Sequence, residues 1–218
     1  MRENSNIHVH KKGIYEKYIK RPQDFLLSLI AIVIFSPVLI IVAILVKKKL
    51  GTPVIFKQKR PGLNGEIFTL YKFRTMTDEK DSKGNLLSDD ERMTDFGRKL
   101  RRTSLDELPE LFNILEGTCS ICGPRPLLVK YLNRYNSHQN RRHEVKPGLT
   151  GYAQVHGRNS ISWEEKFDMD VYYVDHIGFF NDWKIIFQTV LTVLRREGIT
   201  SEGSETMEEF MGKEKEEK

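Results

Sequence analysis

Two cysteines, Cys119 and Cys122, are all that the 218 residues hold, so no disulfide framework is available and a reducing compartment fits. Their Cys-x-x-Cys spacing is half of a zinc site. The six histidines are scattered without a matching pair, and two small packing residues are the other reading. No G-x-G-x-x-G, P-loop or H-E-x-x-H pattern occurs, which leaves no sequence case for a dinucleotide fold, a Walker nucleotide site or a zincin. Long apolar runs are limited to one. Mean hydropathy is −0.46 with 39% hydrophobic residues, which excludes a polytopic membrane protein. No internal repeat is present. Positive charge is in excess: the formal charge is +5 and the pI about 9.1, pointing to an anionic partner. Nucleic acid, anionic lipid headgroups and phosphorylated substrates all fit that balance.

The single apolar run, Phe25 to Val46, carries no charge and is long enough to span a bilayer. Lys-Lys-Lys follows it where a small-residue cleavage site would stand, so it does not read as a cleaved signal peptide. Ser36-Pro37 interrupts its middle. Proline removes a backbone donor, and Ser36 is placed to bond the carbonyl that is freed. Lys11, Lys12, Lys17, Lys20 and Arg21 precede the run and Lys47 to Lys49 follow it, so both flanks carry the cytosolic signature. A re-entrant segment over 25–50, broken at Ser36-Pro37, satisfies both features; a straight span with a proline kink is the alternative. Residues 1–24 form a basic N-terminal segment, 51–200 the main folded domain, and 201–218 a charged tail expected to be disordered.

Beyond the run, Val54 to Phe56 and Glu66 to Phe73 read as strands joined through Pro61-Gly62-Leu63-Asn64-Gly65, a hairpin turn signal. Thr77 to Asp95 is polar and expected to be a mobile excursion or lid. Leu105, Leu108, Leu111, Phe112 and Leu115 recur at helical spacing, and a second amphipathic helix is expected from about Trp183 to Arg196. Trp163, Phe167, Tyr172 and Trp183 suit an interfacial belt or a core equally.

Four segments carry candidate chemistry. Ser104-x-x-Glu107 fits a capping box, which puts Asp106 and Glu107 in a first helical turn; a helix starting at Asp106 is the alternative, because of Pro109. The helix dipole and the nearby Arg101 and Arg102 favour ionised carboxylates there, suited to nucleophilic attack or to a divalent metal. Cys122-Gly-Pro-Arg-Pro126 presents Arg125 from a stiff loop, a good geometry for phosphate oxygens. Lys146-Pro-Gly-Leu-Thr-Gly151, followed by Gln154 to Arg158, offers glycines for close backbone approach to a ligand between basic residues. Lys72 and Arg74 share a face if their strand continues. Each segment alone also has an ordinary reading as a helix start, a proline turn, a loop or a solvated strand.

Together they resemble the bacterial sugar transferase family, the small monotopic polyprenyl-phosphate phosphoglycosyl transferases. The matching segments are Pro53 to Met76, Arg101 to Gly117, Gly123 to Leu127 and Lys146 to Arg158, in the family's order. The resemblance implies a mostly helical α+β fold with a re-entrant membrane hairpin, interfacial amphipathic helices and a small cytosolic catalytic domain carrying a short β-hairpin. It implies monotopic attachment to the cytosolic face of a bacterial inner membrane. It assigns Asp106 as nucleophile on the β-phosphate of a UDP-sugar and ligand of magnesium, and Glu107 as acid/base or positioning group. Arg125, Lys72, Arg74, Arg101 and Arg158 become candidates for holding phosphate, and undecaprenyl phosphate is the acceptor. The partners are then the UDP-sugar, the polyprenyl phosphate and an anionic membrane, not nucleic acid; a homo-oligomer is compatible with the sequence but not set by it. Rival readings are direct transfer with Asp106 only as a magnesium ligand, and a non-catalytic basic scaffold on the membrane surface. The chain departs from the family's usual pattern at Thr118, where an aspartate is expected, at His156, and at Glu110, where glutamine is usual.

Overall fold

The computed structural model describes residues 10–157, 161–195 and 209–212. Its fold is mostly helical α+β. After a π-helical turn at Tyr15–Ile19 comes α1 (Lys20–Leu50), then the hairpin β1 (Ile55–Pro61) and β2 (Ile67–Phe73). Short helices α2 (Asp89–Arg92) and α3 (Asp95–Arg102) lead to a 3-10 turn, Leu105–Glu107, and α4 (Glu110–Glu116). Strand β3 (Ser120–Cys122), α5 (Ser137–Asn140), β4 (Gly148–Thr150), α6 (Tyr152–His156), α7 (Trp163–Asp175) and α8 (Phe179–Arg195) complete it.

The expected hairpin is present, antiparallel from Ile55 opposite Phe73 to Pro61 opposite Ile67. Asn64 (φ 55°) and Gly65 (φ 76°) both take left-handed backbone at its tip, the conformation an Asn-Gly pair adopts most readily. Thr77 to Asp95 is more ordered than its polarity suggests. Isolated bridges join Met76 to Met93 and Lys80 to Leu86, α2 starts with a Ser88/Glu91 capping box, and Met93 is buried.

Helix α1 starts five residues before the apolar run, and its backbone stays helical through Pro37. Where two half-helices were expected, one assigned helix runs through. The physical compensation is the one the sequence suggests: Pro37 leaves the Val33 carbonyl without its amide donor, and the Ser36 hydroxyl donates to it at 2.8 Å. Both halves of α1 pack on the same domain. Ala31 and Ile32 lie against a cluster of Phe68, Leu70, Leu111 and Ile114, and Val42, Val46 and Leu50 are buried with Phe73 and Leu100. At its start, Lys20 Nζ donates to Asp182 (2.6 Å), Ser120 donates to Asp24 (2.6 Å), and Arg21 donates to the Ile114 (2.5 Å) and Leu115 (2.8 Å) carbonyls at the end of α4. The Ile114 carbonyl also accepts from the Gly117 cap amide (3.1 Å), and Arg21 adds an outside cap to the last carbonyls of α4.

The opposite side of α1 is exposed and apolar, including Leu26, Val33, Ile34, Ile40 and Ile41. Within the long apolar helix Tyr15–Leu50, an 18-residue window is only 11% buried, so it is not the core helix of a water-soluble domain. The surface continues onto α8 through an edge-on contact of Tyr15 with Phe179 (5.9 Å), followed by exposed Phe180, Trp183, Phe187 and Val190. Such a surface belongs to a membrane-associated protein. The four aromatics named from sequence divide accordingly: Phe167 is buried and Trp163 packs on it, whereas Tyr172 and Trp183 are exposed.

The cysteines are buried in different clusters, Cys119 with Phe68 and Leu111, Cys122 with Tyr173 and Ile185. Within the C-terminal tail expected to be disordered, residues 209–212 are described. Phe210 is buried among Tyr131 and Phe167, so residues 209–212 are docked rather than free.

Candidate active site

The site forms where β2, the 3-10 turn and the loop after β3 meet. Asn113, fully buried on α4, accepts from the Tyr71 amide (3.0 Å) and donates to the Thr69 carbonyl (2.8 Å), locking α4 to the edge of β2. This brings Lys72 under the turn that carries the carboxylates. Ser104, at φ 54°, reverses the chain just ahead of that turn and makes no side-chain cap. The expected capping box is therefore absent. Asp106 and Glu107 sit in the 3-10 turn before α4, not in its first turn, because Pro109 occupies the α4 N-cap.

Lys72 Nζ lies 2.7 Å from Glu107 Oε1 and 3.1 Å from Glu110 Oε1, and Arg125 Nη2 donates to the same Glu107 oxygen at 2.5 Å. Arg125 and Lys72 hold Glu107 well below the usual carboxylate range, against the effect of its burial. Asp106 behaves oppositely. Burial, then the Glu107 charge, pushes it up to about 6, despite Lys72, Arg101 and Arg125. Helix-end and arginine effects thus do not dominate at Asp106, contrary to the sequence expectation; desolvation does. Among the described residues, its buried carboxylate has no hydrogen-bond or ion-pair partner.

A cavity of about 70 Å³ lies at Glu110, lined also by Arg60, Leu70, Lys72, Arg125 and Pro126, and Glu107 is tied to it through its pairs with Lys72 and Arg125. Burial, then the charge of Arg125, lowers Arg60 to about 10. Two guanidiniums and an ammonium around one small space favour an anion.

β3 pairs in parallel with β4 inside the Lys-Pro-Gly-Leu-Thr-Gly segment, and the Gly-Pro-Arg-Pro loop that follows β3 is held to it by Gly123 N–H to the Thr150 carbonyl (2.9 Å) and Gly148 N–H to the Pro124 carbonyl (3.0 Å). A Cβ on Gly148 would fall 2.1 Å from the Gly123 nitrogen, and one on Gly123 would fall 2.4 Å from the Lys146 carbonyl oxygen. The close approach that these glycines allow is therefore of backbone to backbone, not backbone to ligand. It fixes the loop that presents Arg125.

Of the residues selected from sequence, Asp106, Glu107, Lys72 and Arg125 come together. Arg101 is exposed, bonds Thr75 Oγ1 (3.2 Å) and acts on Asp106 through its charge. Arg74 does not join them. The strand ends at Phe73, and Arg74 is buried, donating to the Met76 (2.8 Å) and Thr52 (2.9 Å) carbonyls and pairing with Asp78 (2.8 Å). Arg158 lies outside the described residues. Thr118, at the end of α4, bonds Asn113 and not the carboxylates. His156 bonds the Tyr152 carbonyl (2.9 Å).

Two members were missed. Gln58 faces Leu70 and Phe56 faces Lys72 across the hairpin, so Arg60 follows on the same face; the register set by the Asn-Gly turn was the available signal. Glu110 stood out in sequence only as a departure from the family pattern. It is buried, and desolvation raises it from 4.5 to about 7, against the pull of Lys72. A carboxyl with a raised folded pKa contributes stability that is fully present below about pH 4.5 and lost as pH rises through about 7. Glu110→Gln should therefore melt higher relative to wild type at pH 8 than at pH 5. An offset that does not change with pH would contradict this.

A family model for bacterial sugar transferases matches residues 15–196. An uncharacterised sugar transferase of Bacillus subtilis (strain 168), EpsL, is 54% identical over 194 residues, covering 89% of this chain and 96% of its own. The undecaprenyl-phosphate galactose phosphotransferase of Salmonella typhimurium is 37% identical over 84% of this chain and 42% of its own. A UDP-glucose:undecaprenyl-phosphate glucose-1-phosphate transferase of Escherichia coli K12 is 38% identical over 80% of this chain, which spans 40% of its length. With the family model covering most of its length and ordered motifs brought into one site, the chain belongs to the bacterial sugar transferase family.

Proposed function

We propose that this chain transfers a phosphosugar from a UDP-sugar to undecaprenyl phosphate, releasing UMP, through a covalent phosphosugar-aspartyl intermediate. The observation that carries the reading is the Asp106 carboxylate, which has no described protein partner and lies in the field of Lys72 and Arg125, two of the cations that line the cavity. An Asp106 oxygen attacks the β-phosphorus of the donor, forming a P–O bond as the bond to the bridging oxygen breaks. That oxygen leaves with UMP. A phosphate oxygen of the lipid then attacks the same phosphorus and releases the Asp106 carboxylate. With a pKa near 6, Asp106 is ionised at neutral pH yet more basic than an ordinary aspartate, which suits a nucleophile. Arg60, Lys72 and Arg125 hold the phosphoryl oxygens. Glu107, kept ionised and shared between Lys72 and Arg125, positions those cations rather than giving up a proton.

Magnesium fits this site by donor chemistry, because Asp106 offers a hard oxygen ligand that no cation among the described residues contacts. When bound, it would neutralise diphosphate charge and ease departure of UMP. The Salmonella and Escherichia relatives carry names with different sugars, galactose and glucose.

The attachment we propose is monotopic, at the cytosolic face of the inner membrane. Lys20 and Leu50, at the two ends of α1, are both buried in the same domain, which supports a segment that enters and leaves on one side. Single cysteines replacing the exposed Lys17 and Lys49 should both resist an impermeant thiol reagent applied from the periplasm. Labelling of one alone would mean a true span. For the activity, a panel of UDP-sugars with undecaprenyl phosphate and magnesium should include a donor that releases UMP. A panel without one would leave only the membrane scaffold.

A further inference from the structure

Beyond the catalytic cavity the domain holds a second built site. Tyr131, Tyr135, Trp163 and Phe167 form an aromatic box, and Phe210 fills it with ring centroids 4.9 to 5.8 Å from all four. Phe210 is 4% exposed. Its backbone is read as well: the amide donates to Tyr131 Oη (3.3 Å) and the carbonyl accepts from Arg134 Nη1 (2.5 Å). Glu209, one residue earlier, pairs with Lys130 (2.5 Å) and Arg134 (2.7 Å). An apolar anchor in an aromatic pocket, an acidic neighbour on a basic rim and two main-chain hydrogen bonds make a peptide-recognition site.

The box abuts the Arg125 loop. The Arg142 guanidinium lies over Tyr135 (5.8 Å) and Phe167 (5.7 Å), is paired with buried Asp170 (2.8 Å), and donates to the Arg125 carbonyl (2.7 Å). We propose that the aromatic box is a binding site for an acidic-aromatic peptide, that its ligand is this chain's own segment Glu209–Gly212, and that occupancy steadies the loop carrying Arg125 through Arg142. Thirteen residues separate Arg195 from Glu209, a reach of up to about 45 Å, and the docked segment belongs to the same chain. The docking is independent of the catalytic reading; only the importance of a steady Arg125 rests on it.

The test uses the full-length protein with Phe210→Ala and a synthetic peptide of residues 203–218. Trp163 lines the box, so the peptide should saturably change tryptophan emission of the variant and leave wild type unchanged. A peptide with the same Phe210→Ala change should do nothing. Hydrogen exchange at Gly123, Arg125, Leu127 and Leu128 should be several-fold faster in the variant and return toward wild type with the peptide, while β1 and β2 stay unchanged. Absence of saturable docking, or equal docking of the Ala peptide, would overturn the site. Docking without a change in loop exchange would overturn the coupling. A wild-type box that opens to peptide on dilution would assign the segment to a second copy and overturn the intramolecular arrangement.

Discussion

Asp106→Asn should lose about 10³-fold or more of UMP-releasing turnover while retaining the wild-type melting temperature within a few degrees. The amide keeps the shape of the side chain but is a far poorer nucleophile. The fold should tolerate it well, because the carboxylate has no described protein partner whose bond would be lost. Burial already raises Asp106 to about 6, so replacing it with a neutral group removes a desolvation cost rather than a stabilising ion pair. The measurement is a paired one, turnover and thermal unfolding on the same preparation. Residual turnover within tenfold of wild type would remove Asp106 from the chemistry.

The second large effect falls on stability, at Asp182. This side chain is 1% exposed and accepts from Tyr15 Oη (2.9 Å), Lys20 Nζ (2.6 Å) and Tyr173 Oη (2.8 Å). It joins the start of α1 to α7 and α8. Asp182→Ala leaves the buried Lys20 ammonium and the Tyr15 hydroxyl without this acceptor, while Tyr173 keeps the Cys122 carbonyl (2.9 Å), and should cost roughly 3 kcal/mol. The figure sits at the low end for a broken buried pair because Asp24 remains 3.7 Å from Lys20. Tyr15→Phe removes the hydroxyl's bond to the Asp182 carboxylate (2.9 Å) and the one it accepts from Gln23 (3.0 Å), and should cost about 1.5 kcal/mol. Thermal unfolding of both variants in one detergent checks the order. An Asp182→Ala loss no larger than that of Tyr15→Phe would mean that the ion pair does not hold α1 to the domain.

These two sites differ in how far the sequence exposed them. The hairpin was legible because Asn64-Gly65 dictates its turn, and period-2 alternation then sets its faces. Asp106, Glu107, Lys72 and Arg125 were legible as motifs, yet their meeting depends on Asn113 bridging α4 to β2, a contact between residues more than forty positions apart. Arg74 was misplaced because alternation was carried one residue past the end of β2. The opposite protonation preferences of Asp106 and Glu107 were illegible, since both neighbours look alike until burial and the two cations are known. Docking of Phe210 was hidden by the charged residues around it. Net charge predicts a solvated tail, whereas one aromatic anchor with four ring partners holds this segment.

The most direct test of the mechanism is to look for the adduct on Asp106. Wild-type protein incubated with magnesium and a radiolabelled UDP-sugar that supports turnover, without lipid, should release UMP and retain the phosphosugar label. Mass spectrometry should locate that label on the peptide containing Asp106, and added undecaprenyl phosphate should remove it. UMP that is released only when lipid is present, with no adduct trapped, would establish direct transfer and contradict the role given to Asp106.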